Sequence, residues 1–241
     1  MEQKTNKQQF IRGLHDGVPI ALGYFAVSFT FGMMAVSGGM SVWQATLISL
    51  TNLTSAGQFA GLDIMIACGS LWEMALTQLI INLRYSLMSF SVSQKLERNL
   101  APWHRYAVAF GMTDEIFGVS ISQPGRLNPF YNYGAMSAAI PGWTLGTLVG
   151  AMAGNIMPGF MASALSVAIY GMFLALIIPP AKKHRAVCKV VIGAMAMSSL
   201  FAYMPLLNRV SSGFVIIITT LVVAGAAAYF CPVGDGEEEK P

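Results

Sequence analysis

The sequence predicts an all-α polytopic integral membrane protein, and three observations carry that prediction. Only 10% of the 241 residues are charged while 55% are apolar, against about 25% charged in an ordinary soluble domain. No Asp, Glu, Lys or Arg falls within 17–62 or within 127–181, and each stretch is more than twice the roughly 20 residues that one bilayer-crossing helix requires. Runs such as 159–178 are apolar on every side, which fits neither the alternating pattern of a β-barrel nor the polar face of a solvent-facing helix. The polar stretches left over are too short for a soluble enzyme. The chain is therefore read as a single transmembrane helical domain, 1–241, with a cytoplasmic N-terminal segment, 1–16, and an acidic tail, 232–241.

Glycines, prolines and charge clusters divide the chain into seven to eight hydrophobic segments. The first, 17–37, follows Lys4, Lys7 and Arg12, and its apolar run is longer than the roughly 7–15 residues of a signal-peptide core, so it reads as a retained helix. Asp16 suits the start of that helix, where the macrodipole favours a carboxylate, and Pro19 suits its first turn. The second, 41–61, contains the polar run Thr51-Asn52-Leu53-Thr54-Ser55-Ala56-Gly57-Gln58. The third, 64–94, carries Glu73, expected near the interface, and Gln78, Asn82 and Arg84 deeper in; the fourth, 104–122, carries Asp114 and Glu115 at its middle. In the fifth, 131–154, Gly142, Gly146, Gly150 and Gly154 recur every four residues on one helix face, which allows two backbones to approach closely. Segments 159–180, 187–207 and 210–231 complete the set.

Positive charge gathers at Lys4/Lys7/Arg12, at Lys95/Arg98/Arg105 and at Lys182/Lys183/Arg185/Lys189, and the positive-inside rule places all three clusters in the cytoplasm. Eight full crossings cannot satisfy that. The conflict disappears if 41–61 and 159–180 are re-entrant or broken, which leaves Arg126 and Arg209 outside; seven crossings with one irregular segment is the alternative. Gly32-Met33-Met34-Ala35 recurs as Gly150-Ala151-Met152-Ala153, which suggests two inverted repeats of the kind found in transporters, with chance similarity as the rival explanation.

The polar run around Gly57 is read as a helix break lining a cavity, because non-helical backbone at membrane depth survives only where protein or water covers it. The competing reading is an unbroken helix packed through Thr, Ser and Asn hydrogen bonds. Arg84, Asp114 and Glu115 each cost roughly 2.5–3.5 kcal/mol at a helix centre, so they are expected to pair or to line water. The pairing of Arg84 with Asp114 or Glu115 is either purely structural or leaves one carboxylate to carry a coupling proton. Cys68, Cys188 and Cys231 are scattered, and His15, His104 and His184 lack ligand spacing, so neither a disulfide framework nor a metal site is expected. No cofactor is indicated. The G-x-x-x-x-G-K-[ST] loop of ATPases is absent, as are the H-E-x-x-H and G-x-S-x-G enzyme motifs.

Six stretches together resemble the AzlC-type branched-chain amino-acid permeases, the large subunit of azaleucine-resistance exporters. They are Gly13-x3-Gly17-x-Pro19-Ile20, Phe31-Gly32, Ser55-Ala56-Gly57-Gln58-Phe59, Asn82-Leu83-Arg84-Tyr85-x-Leu87-Met88-Ser89, Thr113-Asp114-Glu115-x-Phe117, and Trp143 followed by Gly146-Thr147-x2-Gly150. The resemblance implies an inner-membrane secondary exporter of valine and related hydrophobic amino acids, working with a small AzlD-type membrane partner. Taken with the polar run and the deep charges, it nominates Asn52, Ser55, Gly57, Gln58, Asn82 and Arg84 for substrate binding and Asp114 and Glu115 for proton coupling. A channel or facilitator for a small polar solute is the alternative function.

Overall fold

The computed structural model of the chain describes residues 5–98, 100–154, 185–205 and 209–230, with isolated positions at 174, 177–178, 181–182 and 207. These residues form nine helices: α1 (Asn6–Ser37), α2 (Val42–Thr51), α3 (Ala56–Ile66), α4 (Leu71–Lys95), α5 (Trp103–Phe110), α6 (Asp114–Ile121), α7 (Pro129–Gly154), α8 (Arg185–Tyr203) and α9 (Ser212–Phe230). Of these, α1 and α8 are each long and apolar enough to cross a bilayer, with a mean hydropathy of 1.7. The segment expected to re-enter at 159–180 lies almost wholly outside the described residues, as do Lys183, His184, Cys231 and the acidic tail. The chain divides into two compact units, 1–62 with 81–169 and 63–80 with 170–241.

The first unit is organised around α1 and α7. Helix α1 starts at Asn6, well before residue 17, because Thr5 and Gln8 form a capping box: the Thr5 hydroxyl accepts from Gln8 N–H and the Gln8 side chain accepts from Thr5 N–H. Pro19 is thus in the helix interior, and Asp16 is no helix-start carboxylate. It accepts instead from the Tyr131 hydroxyl at 2.7 Å. Gly13 lies against Tyr131, Gly17 against Ala135, Gly142 against Ala21, Gly146 against Phe25, Gly150 against Phe29 and Gly154 against Met33. Both series rise together, so the helices run parallel, backbone on backbone. A side chain on Gly32 would run into the Thr147 carbonyl. The four-residue glycine spacing is therefore a packing seam, as expected. The Gly32/Gly150 similarity belongs to that same seam: equivalent helices of an inverted repeat would run in opposite directions, so it does not mark two inverted halves.

Two helical hairpins pack into this unit from opposite ends. Helix α2 leaves the Ser37 end of α1 under a Ser41/Gln44 capping box and reaches the level of Thr147, whose hydroxyl lies 2.7 Å from that of Ser49. Gln58 of α3 hydrogen-bonds Ser49 at 3.0 Å, whereas in one continuous helix those two residues would be about 13 Å apart. The chain therefore reverses between α2 and α3, within 52–55. The break is where the polar run predicts it, but its hinge is not Gly57, which sits in the first turn of α3; the left-handed residue is Ser55, at φ +37°.

The second hairpin is α5–α6. It begins beside Tyr133, whose hydroxyl is 2.7 Å from His104 Nδ1, climbs to Thr113 beside Tyr24 at 2.6 Å, and returns through Ser120 beside Asn132 at 2.8 Å and Gln123 beside Tyr131 at 2.9 Å. The segment expected as one continuous run, 104–122, is thus folded double. The reason is local: α5 ends at Gly111, and Thr113 caps a new helix by accepting from Ile116 N–H. Each arm, eight residues long, spans about 12 Å, far short of a hydrocarbon layer of about 30 Å.

The loops at the Asn6 end collect the basic residues. Leu127 N–H donates to the Lys95 carbonyl at 2.9 Å, Arg126 to the Gln94 carbonyl at 2.6 Å, Arg105 to the Ser93 carbonyl at 2.6 Å, and Asn128 to Asn6 at 3.0 Å. Lys95, Arg105 and Arg126 therefore share the end occupied by Lys7. Arg126, expected on the opposite side from Lys95, is on the same one.

In the second unit, Ser70 caps α4 by accepting from Glu73 N–H at 3.1 Å. Glu73 is in the first turn of α4, near a helix end as expected; it is 4% exposed and accepts from Ser211 and from the first turn of α9.

Candidate functional site

The two hairpin tips meet halfway along α1 and α7. Leu53 from the first and Met112 from the second are buried in one apolar cluster with Tyr24 and Trp143, whose rings meet edge to face at 5.3 Å.

The first tip is held by a buried polar chain. Trp143 Nε1 donates to Gln58 Oε1 at 2.7 Å, Gln58 Nε2 donates to the Ser49 hydroxyl at 3.0 Å, and that hydroxyl bonds Thr147 at 2.7 Å. Both ends of the Gln58 amide are thereby engaged. Asn52 is occupied within the turn, its Oδ1 accepting from Thr54 N–H at 3.0 Å and from the Thr54 hydroxyl at 2.7 Å. Gly57 donates to the Thr54 carbonyl at 2.9 Å. Ser55 differs from these: its buried hydroxyl has no hydrogen-bond partner, and it stands where α3 begins with no acidic residue in its first turn.

The second tip has the opposite electrostatic character. Helix α6 opens with Asp114 and Glu115 in its first turn, which compensate the positive end of its own dipole. Arg84 of α4 reaches across to Asp114 at 2.6 Å, donates to the Tyr85 hydroxyl at 3.0 Å, and lies 4.7 Å above the Tyr85 ring. Glu115 accepts from the Tyr24 hydroxyl, which also contacts Thr113. Thus the three charges separate into two pairs, Arg84 with Asp114 and Glu115 with a tyrosine. The ion pair is only part-buried, its side chains 42% and 23% exposed, where a wholly buried unit was expected. Asn82 is half-buried two residues before Arg84 on α4.

Two half-helices thus begin at one level, one with no acidic residue in its first turn and the other with a pair of carboxylates. That arrangement can hold a small solute carrying both charges, with its anionic end toward α3 and its cationic end toward α6. Sequence reasoning missed Tyr24, whose partners Thr113 and Glu115 lie far along the chain. It also missed the second break, although Thr113-Asp114-Glu115 reads as a capping residue followed by an acidic first turn.

A family model described as AzlC protein matches residues 19–157, a span that includes both hairpin tips, Arg84, and Gly142, Gly146, Gly150 and Gly154 of the seam. An uncharacterized membrane protein of Archaeoglobus fulgidus is 32% identical over 217 residues, covering 89% of this chain and 93% of that protein. The inner membrane protein YgaZ of Escherichia coli K12 is 27% identical over 202 residues, covering 80% and 82% respectively. An uncharacterized membrane protein of Helicobacter pylori is 26% identical over 154 residues, covering 61% and 67%. No solved structure matches. The all-helical fold, the motif-bearing tips and these matches together establish a helical membrane protein that belongs to the AzlC family.

Proposed function

We propose that this chain is a secondary transporter exporting branched-chain, hydrophobic amino acids such as valine across an inner membrane, together with a small AzlD-type membrane subunit. The observation that carries the reading is the meeting of two opposed hairpin tips at one level, with the positive end of a helix dipole uncompensated by any acidic residue on one and carboxylates on the other. An amino acid is a zwitterion of about that polarity, and an apolar cluster beside the tips suits an aliphatic side chain. The inner membrane assignment leans on YgaZ, which is named for that location.

In this reading the tip around Asn52, Ser55 and Gly57 receives the substrate carboxylate, with Gln58 as the residue that positions it. Arg84 and Asn82 line the approach, and Arg84 exchanges between Asp114 and the substrate. Asp114 and Glu115 divide the remaining work: one holds the ammonium group and the other takes up the coupling proton when its partner is withdrawn.

Efflux of labelled valine from proteoliposomes, with and without a pH gradient, tests this. Wild-type efflux should accelerate with the gradient. Of Asp114→Asn and Glu115→Gln, one should lose the pH dependence while still binding valine. Efflux indifferent to the gradient in all three proteins would instead indicate a facilitator, and absence of valine flux would remove the substrate assignment.

A further inference from the structure

The second compact unit holds a buried carboxylate that the tips do not use. Glu73 is 4% exposed, and among the described residues no cationic side chain pairs with it. Its two oxygens meet different surroundings. Oε1 accepts from the Ser211 hydroxyl at 2.5 Å and from Gly213 N–H at 3.1 Å, so the positive end of α9 solvates that side. Oε2 lies over Gly69, where an added methyl carbon would stand 2.9 Å from Oε2 and 3.2 Å from the Ile64 carbonyl. That carbonyl belongs to the last turns of α3, the negative end of its dipole, and accepts from Gly69 N–H at 2.8 Å, which leaves it a second lone pair. A carboxylate oxygen facing a helix C-terminus is repelled unless a positive charge joins them.

Thr77 supplies an independent sign. One turn beyond Glu73 on α4, it is 0% exposed and its hydroxyl has no hydrogen-bond partner, a costly state for a buried polar group. A single point above Gly213 is 2.6 Å from Glu73 Oε1 and 2.8 Å from Thr77 Oγ1, so the idle hydroxyl and the carboxylate converge.

We propose that Glu73, Thr77 and the Ile64 carbonyl at the end of α3 bind a dehydrated monovalent cation of sodium size. All the ligands are hard oxygens, which excludes a thiophilic metal. A lone carboxylate matches a single charge, and no cluster of three or more Asp, Glu, His or Cys stands ready for a divalent ion among the described residues. Helix C-termini and carbonyls hold sodium in broken-helix transporters generally. The cation neutralises Glu73 and relieves its repulsion from Ile64. Its binding does not depend on the transport reading; only its use as a coupling ion does.

The test is binding of radioactive sodium to the full-length protein in lipid nanodiscs, alongside thermal unfolding in sodium chloride against choline chloride at constant ionic strength. Wild-type protein should bind sodium saturably, and its Tm should rise with sodium concentration as ligand linkage requires. Glu73→Gln should abolish both effects. Thr77→Val should raise the half-saturating concentration about tenfold, the worth of one contact to a charge, while Thr77→Ser should leave it unchanged. If Glu73→Gln does not fold, the Thr77 pair decides. Absence of saturable sodium binding in wild type, or equal affinity in Thr77→Val, overturns the proposal. Valine binding measured without sodium is read separately, so either failure is distinguishable from failure of the transport reading.

Discussion

Trp143 Nε1 donates to Gln58 Oε1 at 2.7 Å, pinning the tip of the first hairpin to the middle of α7. Trp143 is 1% exposed and Gln58 3%, and the chain continues through Ser49 to Thr147, both at 0%. Gln58→Leu leaves the indole N–H and the Ser49 hydroxyl with one partner fewer, at about 1–3 kcal/mol for each group stranded. Its Tm in mild detergent should fall clearly. Adding Trp143→Phe to that variant should cost less than Trp143→Phe alone, because no stranded donor then remains. Additive losses would show that the two residues do not act as one unit.

The glycine seam gives a sharper contrast. Gly32→Ala should force α1 away from α7, since its methyl group would overlap backbone at Thr147 and Ala151; overpacking of this kind costs roughly 1–3 kcal/mol. Gly23, on the same helix, has nothing within 4 Å of an added methyl group, and Gly23→Ala should be neutral or stabilising by up to about 1 kcal/mol. Thermal unfolding of the two variants side by side decides the matter. Equal effects would mean that helix propensity and not backbone contact governs both positions.

Sidedness follows from the ladder that joins Gln94 and Lys95 to Arg126 and Leu127. Single cysteines replacing Arg98 and Arg126 in a cysteine-free background should react with an impermeant maleimide from one face of the membrane. A cysteine at Ser37 should react from the other. Opposite reactivity of positions 98 and 126 would require 104–122 to cross fully and would exclude the α5–α6 hairpin.

What the sequence disclosed depended on chemical contrast. The first break was legible because Asn52, Thr54 and Ser55 are polar within an apolar run, although the residue that turns the chain is Ser55 and not the glycine nearby. The second was missed because Gly111-Met112-Thr113 is a short and weakly polar join, so Asp114 and Glu115 read as charges midway along one helix and not as the first turn of a new one. The seam was legible as a spacing, yet its partner was not, since nothing local says that Gly150 will meet Phe29. The pairing of Arg84 with Asp114 followed from the expense of leaving charges alone, whereas the bond from Tyr24 to Glu115 required knowing which distant face α1 presents. The burial of Glu73 was not legible, because its position at one helix end says nothing of the distant helix that begins on top of it.

The parallel packing of α1 on α7 also sets a timetable for assembly. Gly32 and Gly150 are 118 residues apart, and ribosomes add about 5–20 residues per second. The first helix therefore waits on the order of ten seconds for the strip of backbone that will cover its glycines. Both hairpins emerge during that interval, before Trp143 and Thr147 exist to anchor the earlier one. The order of synthesis is thus the reverse of the order of attachment, and a newborn chain stopped short of α7 would have all the pieces of the tips but nothing to hold them at one level.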